Sequence, residues 1–185
     1  MSQNHRYLGN HFLMATPYLE DPRFGGSLTL ICEHNAQGAM GLVINQPLQL
    51  TMADVLSQLS LAGGPSQEPV YAGGPVMSER GFVLHRPHGA WQNTLKVSPT
   101  LAMTSSRDIL EAIAVGEGPA DYLMILGYAG WRAGQLEEEL SGNAWLTGPA
   151  DEQILFSVPP EQRLAAAMKK LGVDPSHLSG SIGHA

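Results

Sequence analysis

The stretch 28–47, LTLICEHNAQGAMGLVINQP, constrains the fold more than any other part of this chain. It reads as strand, tight turn, strand. Leu28, Thr29, Leu30, Ile31 and Cys32 are strand formers, and Asn35, Ala36, Gln37 and Gly38 carry turn chemistry. Met40, Gly41, Leu42, Val43 and Ile44 are apolar again. A hairpin this apolar belongs at the centre of the fold, with the remaining elements built around it. It also holds the only cysteine, a Glu33-His34 pair and an Asn45-Gln46-Pro47 exit.

At 185 residues the chain fits one domain with a substantial core. Hydrophobic residues make up 43% and charged residues 15%, an ordinary globular balance. The formal charge of −7 argues against a general electrostatic grip on nucleic acid. One cysteine cannot close an internal disulfide, so nothing asks for an oxidising compartment. The first residues, MSQNHRYLGNHFLM, lack a basic region followed by an apolar one, and no apolar run is long enough to span a bilayer. The expectation is a cytoplasmic protein with no membrane contact.

Residues 7–15 read as a first strand ending at Thr16-Pro17, followed by a loop over 18–26 and then the hairpin. Thr51 and Asp54 form a capping box, and Met52, Val55, Leu56 and Leu59 make one helical stripe. Short strands are expected around 70–72, 81–85, 91–97 and 101–104. Ser105 with Asp108 repeats the capping pattern ahead of a second helix whose buried face is Ile109, Ala112 and Ile113. Residues 121–127, DYLMILG, form the most uniformly apolar run and the best central strand. Residues 133–140 can form a helix with Glu137, Glu138 and Glu139 mostly in solvent. Trp145-Leu146 and 154–156 read as short strands. The last helix starts at Pro159-Pro160, buries Leu164, Ala167, Met168 and Leu171, and stops at Gly172. The predicted fold class is mixed α/β (α+β). A single domain, residues 1–185, holds a twisted, largely antiparallel sheet or partial barrel flanked by three to four helices.

Several groups invite chemistry. Strand alternation would put Leu28, Leu30, Cys32 and His34 on one face, where His34 could activate the Cys32 thiol as a nucleophile or redox sensor. A free cysteine is more often a small buried hydrophobe, and that reading is preferred. Glu33 and His34 point to opposite faces of a strand and do not pair directly, so a polar strand end is the simpler account. Cys32, His34, His85 and His88 have weak metal-ligand spacings with no CxxC or HExxH anchor, and no metal is assigned. Gly73-Gly74-Pro75 follows a strand as phosphate loops do, but it lacks a Walker lysine or GxGxxG and reads better as a close-packed turn. No GxSxG is present. Trp131, Gln135, Glu139, Asn143 and Trp145 concentrate aromatic and amide groups. They form either a ligand or partner groove or a satisfied polar seam where a helix crosses the sheet.

The pieces NHFLMATP, ICEHNAQGAMGLVINQP, YAGGPV, RGFVLH, TSSRDIL, LGYAGWRAGQLEEEL, NAWL, ILF and the closing GHA resemble, in order, the YqgE/AlgH family of bacterial proteins. The resemblance runs from about residue 11 to 185. It implies one mixed α/β domain with a barrel-like core, and its Gly-His-Ala ending suggests a docked tail. It implies no enzyme reaction or cofactor. The AlgH name carries an association with transcriptional regulation of alginate synthesis, which does not imply direct DNA binding. Cys32, Glu33, His34, Asn45, Gly73, Gly74, His85, Trp131 and Gln135 fall on family-type positions without assigned roles.

The resulting expectation is a non-catalytic regulatory or interaction protein. Asn45, Gly73, Gly74, Trp131, Gln135 and Asn143 are its binding candidates, and an unidentified protein or small molecule its partner. The alternative is a small-molecule enzyme or thiol sensor, with Cys32, Glu33, His34 and His85 as the catalytic candidates.

Overall fold

The structure, a computed structural model, describes residues 7–16, 19, 21, 24–61 and 67–174. The expected docking of the Gly-His-Ala tail lies outside these residues. The chain opens with β1 (His11–Ala15), β2 (Leu28–Asn35), β3 (Gly38–Val43), β4 (Pro47–Thr51) and α1 (Met52–Gln58). It continues through β5 (Pro69–Ala72), β6 (Val76–Arg86), β7 (Thr94–Lys96), β8 (Ala102–Thr104) and α2 (Arg107–Ala114). It closes with β9 (Asp121–Arg132), α3 (Gln135–Ser141), β10 (Trp145–Pro149), α4 (Glu152–Ser157) and α5 (Pro160–Lys170).

The sheet runs β10-β1-β2-β3-β9-β6-β8-β7 and curls strongly into a half barrel. All pairs along this path are antiparallel, whereas β5 joins the side of β9 in parallel. The apolar run at 121–127 does become the central strand. It extends to twelve residues because its second half, through Trp131, pairs with β3 while its first half pairs with β6. Between these halves Gly127 sits at φ +80°, where a Cβ would meet the Gly74 carbonyl oxygen at 2.5 Å.

Alternation along the strands divides the core. Leu30, Leu42, Leu84 and Ile125 face the inside of the half barrel, which is plugged by Ile154 and Leu155 of α4 and by Ala167 and Met168 of α5. Met52, Val55 and Ile109 bring α1 and α2 against Val70, Val83 and Met124 on the outer face. Leu136 of α3 covers a second outer patch with Ile31, Trp131 and Trp145. Burying each of these large side chains contributes about 1.5–3 kcal/mol, so all three patches matter to stability.

The Thr51 capping box forms as expected: Thr51 Oγ1 accepts from the Asp54 amide and the Asp54 carboxylate accepts from the Thr51 amide. Three local expectations need correction. Residues 154–156 are helical rather than extended, because Asp151 Oδ1 accepts the amides of Gln153 at 2.8 Å and Ile154 at 3.3 Å and starts α4. Among the described residues that helix brings the total to five, against the three to four expected. The cap of α2 is Ser106 rather than Ser105, and its hydroxyl is turned onto the Asp108 carboxylate at 2.5 Å.

The third correction concerns the hairpin. The β2–β3 register shifts between Ile31 and Glu33, so Ile31 pairs Gly41 but Glu33 already pairs Met40. This one-residue bulge reverses the alternation beyond it. Cys32 stays with the interior cluster, while His34 turns to the opposite face beside α3.

Candidate functional site

The bulge decides what Cys32 and His34 can do together. Cys32 is 4% exposed, and its Sγ donates weakly to the Leu30 carbonyl oxygen at 3.9 Å. Burial, reinforced by the neighbouring Glu33 charge, pushes its thiol up to about 12. His34 is also buried and held at both ring nitrogens. Nδ1 accepts the Leu8 amide at 2.9 Å, so Nε2 carries the proton and donates to Glu137 at 3.1 Å. The Tyr7 ring packs on it edge-on, with centroids 5.1 Å apart. Glu33 is exposed on the other side of the strand from His34. The arrangement ties β2 to α3 and to the segment before β1; it does not bring an imidazole to a thiol.

His85 is fully buried on β6. Nδ1–H donates to the Pro87 carbonyl at 2.9 Å and Nε2 accepts from the Thr104 hydroxyl at 2.7 Å. Burial holds this imidazole below the ordinary histidine range despite the Pro87 bond, with His88 adding to the depression. His88 itself binds the Ser98 carbonyl at 2.8 Å. The described His, Cys, Asp and Glu side chains form no group of three suited to a metal ion.

Other candidates are fastened into the scaffold. Asn45 accepts the Leu28 amide at 2.9 Å and donates to the Gly26 carbonyl at 3.0 Å, clamping the entry to β2. Gly74 sits at φ +152°, where a Cβ would lie 2.2 Å from the Tyr128 backbone. The Gly73 amide donates to Leu126 at 2.7 Å while its carbonyl accepts from Val43 at 2.9 Å. The pair is a close-packed crossing of the turn over β9. Asn143 is exposed at φ +62°, leaving α3 in a left-handed turn.

The aromatic-amide group converges on Glu139. Its Oε1 accepts the indole N–H of Trp131 and that of Trp145, both at 2.9 Å, and its Oε2 accepts the Gln135 amide at 3.1 Å. Glu137 and Glu138 are exposed as expected, whereas Glu139 is half-buried and serves as the hub.

A larger opening lies elsewhere. Between α1, α2 and the outer face of β6 and β9 is a cleft of about 610 Å³. Val55, Leu59 and Leu110 line it from the helices, and Val83, Met124 and Leu126 from the strands. Thr104, Ser105, Ser106, Arg80 and Arg107 form its polar end. Arg80 donates to the Ser105 hydroxyl at 3.3 Å and lies over the Phe82 ring, 5.6 Å from the centroid. Arg107 is held by Glu111 at 3.1 Å and by the Leu59 carbonyl at 2.9 Å. The first turn of α2 is occupied by its own Asp108. Burial raises that carboxyl, but bonds from Ser106 and from the amides of Gln92, Ile109 and Asp108 hold it below the ordinary range. The polar contribution to the cleft is therefore the Arg80 and Arg107 guanidiniums, the Glu79 carboxylate, the Gln58 amide and the hydroxyls, not the helix end. Thr104 links this cleft to buried His85.

A family model described as AlgH-like matches residues 12–176. The chain belongs to the AlgH-like family. A UPF0301 protein of Thioalkalivibrio sulfidiphilus is 57% identical over 178 residues, covering 95% of this chain and 96% of the relative. One from Hahella chejuensis is 50% identical over 185 residues and covers 100% of both. The solution structure of the AlgH protein from Pseudomonas aeruginosa is 53% identical, covers 97% of each chain and superposes with a TM-score of 0.81. A crystal structure from Corynebacterium diphtheriae, 21% identical with a TM-score of 0.71 over 92% of this chain and 90% of that one, shares the fold.

In this AlgH-like chain the cleft is the feature that sequence reasoning missed. Its walls come from segments between Leu50 and Leu126, and each segment alone reads as ordinary core or cap. The one available signal is TSSRD, where two hydroxyls and an arginine follow a strand directly, a pattern that by itself reads as a helix start.

Proposed function

We propose that this AlgH-like protein acts in the cytoplasm as a non-catalytic regulatory binding protein, and that the α1–α2 cleft takes its ligand. The observation that carries this reading is the cleft itself: about 610 Å³, lined by apolar side chains of helices and strands, with two guanidiniums, Arg80 and Arg107, and several hydroxyls against a single carboxylate, Glu79. Cavities of this size and lining are the usual form of small-molecule sites. A small ligand with an apolar body and one anionic or strongly accepting end suits it. Arg80 has no carboxylate partner among the described residues and stands at the lip. Binding rather than turnover is favoured by the state of the reactive groups. Cys32 is a buried, protonated thiol, and the ring nitrogens of His34 and His85 are all engaged. The AlgH name suggests that the consequence of binding is regulatory, and the net charge of −7 favours a readout through a protein partner over direct contact with DNA.

The test is a saturation-transfer NMR screen of small aryl and alkyl carboxylates against the wild-type protein and Leu110→Trp, which fills the cleft. Fragments that bind the wild type and are lost from the filled variant support the reading. Fragments that bind both equally, or none that bind at all, oppose it.

A further inference from the structure

The lining of the α1–α2 cleft selects the body of its ligand as well as its charge. Val55, Val83 and Met124 are buried beneath it, and Leu50, Leu59, Leu110 and Leu126 stand around it half-buried. No aromatic ring is among its described lining residues. A flat aryl or nucleobase group takes its orientation from other rings, and these branched walls give it none. A flexible chain instead gains from any apolar area withdrawn from water. Gly81 deepens the strand side of the cleft. It pairs with Leu126, two residues before the Val83–Met124 pair, so a side chain at 81 would point the same way as Val83. Its Cβ would lie 2.6 Å from Met124 Cε and 3.8 Å from Leu126 Cδ2, both of them cleft side chains. The missing side chain leaves that stretch of floor to a ligand.

We infer that the cleft binds a straight-chain aliphatic carboxylate, its acyl chain lying over Gly81 among the leucines and its carboxylate against Arg80. This rests on the reading of the cleft as the ligand site and names the class of ligand. Arg80 carries five N–H donors, of which the Ser105 hydroxyl takes one at 3.3 Å, so most remain for a carboxylate. Arg107 is anchored to Glu111 and to the Leu59 carbonyl and adds a second positive charge to the lining. With Glu79 as the single lining carboxylate, the described lining keeps an excess of one positive charge, which matches one carboxylate on the ligand. At roughly 30 Å³ per water, 610 Å³ holds about twenty water-sized volumes, room for a headgroup and a chain of about eight to fourteen carbons.

The experiment is isothermal titration calorimetry of the full chain with hexanoate, octanoate, decanoate and dodecanoate, each below its micelle threshold. The comparators are 2-naphthoate, a rigid flat acid, and 1-octanol, a chain without the charge. Each added methylene should tighten binding about two- to fourfold until the cleft is full, fourfold corresponding to complete burial. Octanoate should bind at least about fivefold more tightly than 1-octanol, and Arg80→Gln should weaken every acid by one common factor. Gly81→Leu should move the end of the length gain to shorter acids, and Gly81→Ala, which displaces only the Met124 methyl, should do so to a smaller extent. Circular dichroism checks that each variant is folded. Binding of 2-naphthoate with no length gain among the alkyl acids leaves the cleft a ligand site and overturns the acyl assignment. Equal binding of octanoate and 1-octanol, or an unchanged length series in both folded Gly81 variants, also overturns it. If no alkyl acid binds, the acyl assignment falls, and the aryl arm of the fragment screen decides the wider reading on its own.

Discussion

The burial of Cys32 makes a quantitative prediction about reactivity. It is the only cysteine, so every thiol signal belongs to it. Raising the thiol from 9.0 to about 12 cuts the thiolate population at neutral pH about a thousandfold. The more basic thiolate is also a better nucleophile. With a Brønsted coefficient of about 0.4–0.5, roughly 15- to 30-fold is regained in thiol–disulfide exchange. The remainder is a deficit of roughly 30- to 60-fold, before any allowance for a side chain that a disulfide reagent can hardly reach. The assay follows 5,5′-dithiobis(2-nitrobenzoate) reacting with native protein and with the same protein in urea at matched pH. Native Cys32 should react at least about 30-fold more slowly, with a rate that keeps rising with pH beyond 9. A native rate within a few-fold of the unfolded chain would refute the placement of the thiol in the core and reopen the sensor reading.

Other perturbations probe the scaffold around the sites. Gly74→Ala places a Cβ 2.2 Å from the Tyr128 backbone at φ +152°, and should lower stability by about 3 kcal/mol or more in urea unfolding. His85 has a depressed folded pKa, so the unfolded chain takes up its proton first as pH falls. Its contribution to stability should be intact above about 6.5 and shrink below it, and ¹⁵N NMR should show a neutral Nδ1–H ring at pH 6.5. Asp151 is held below the ordinary carboxyl range, first by Lys170 and also by the amides of Ile154 and Gln153, against an opposing effect of burial. Asp151→Asn should therefore destabilise at neutral pH, with the difference from wild type vanishing as pH falls through the folded carboxyl's pKa.

What was legible in the sequence was local. The Asn35–Gly38 turn closes as read, with Asn35 Oδ1 accepting the Gln37 amide at 2.8 Å. The Thr51–Asp54 box and the glycine stop of the last helix also follow from neighbouring residues, Gly172 taking φ +80°. The apolar run at 121–127 announced a central strand because burial on both faces needs no alternation. The helix at 152–157 was not legible, since three apolar residues carry no period, and the Asp151 cap with packing against α5 decided it. The bulge at Cys32 was equally silent. One unpaired residue leaves the apolar pattern intact, yet it sends His34 to the far side of the sheet from Cys32. The aromatic-amide cluster could be seen as a composition, but not its hub, because Glu139 sits in a run of three glutamates that look alike in sequence. Beyond the TSSRD segment the cleft leaves no mark in the sequence, because tertiary contact assembles it from β4, α1, β6, β8, α2 and β9.

Chemical-shift mapping tests the central claim most directly. With a bound aryl or alkyl carboxylate, ¹H–¹⁵N spectra should shift at Ser105, Arg107, Leu110 and Val83, with Arg80→Ala weakening the titration and the rest of the spectrum nearly still. Shifts centred instead on the Cys32 hairpin or on Trp131 and Trp145, with the α1–α2 cleft unmoved, would contradict the account.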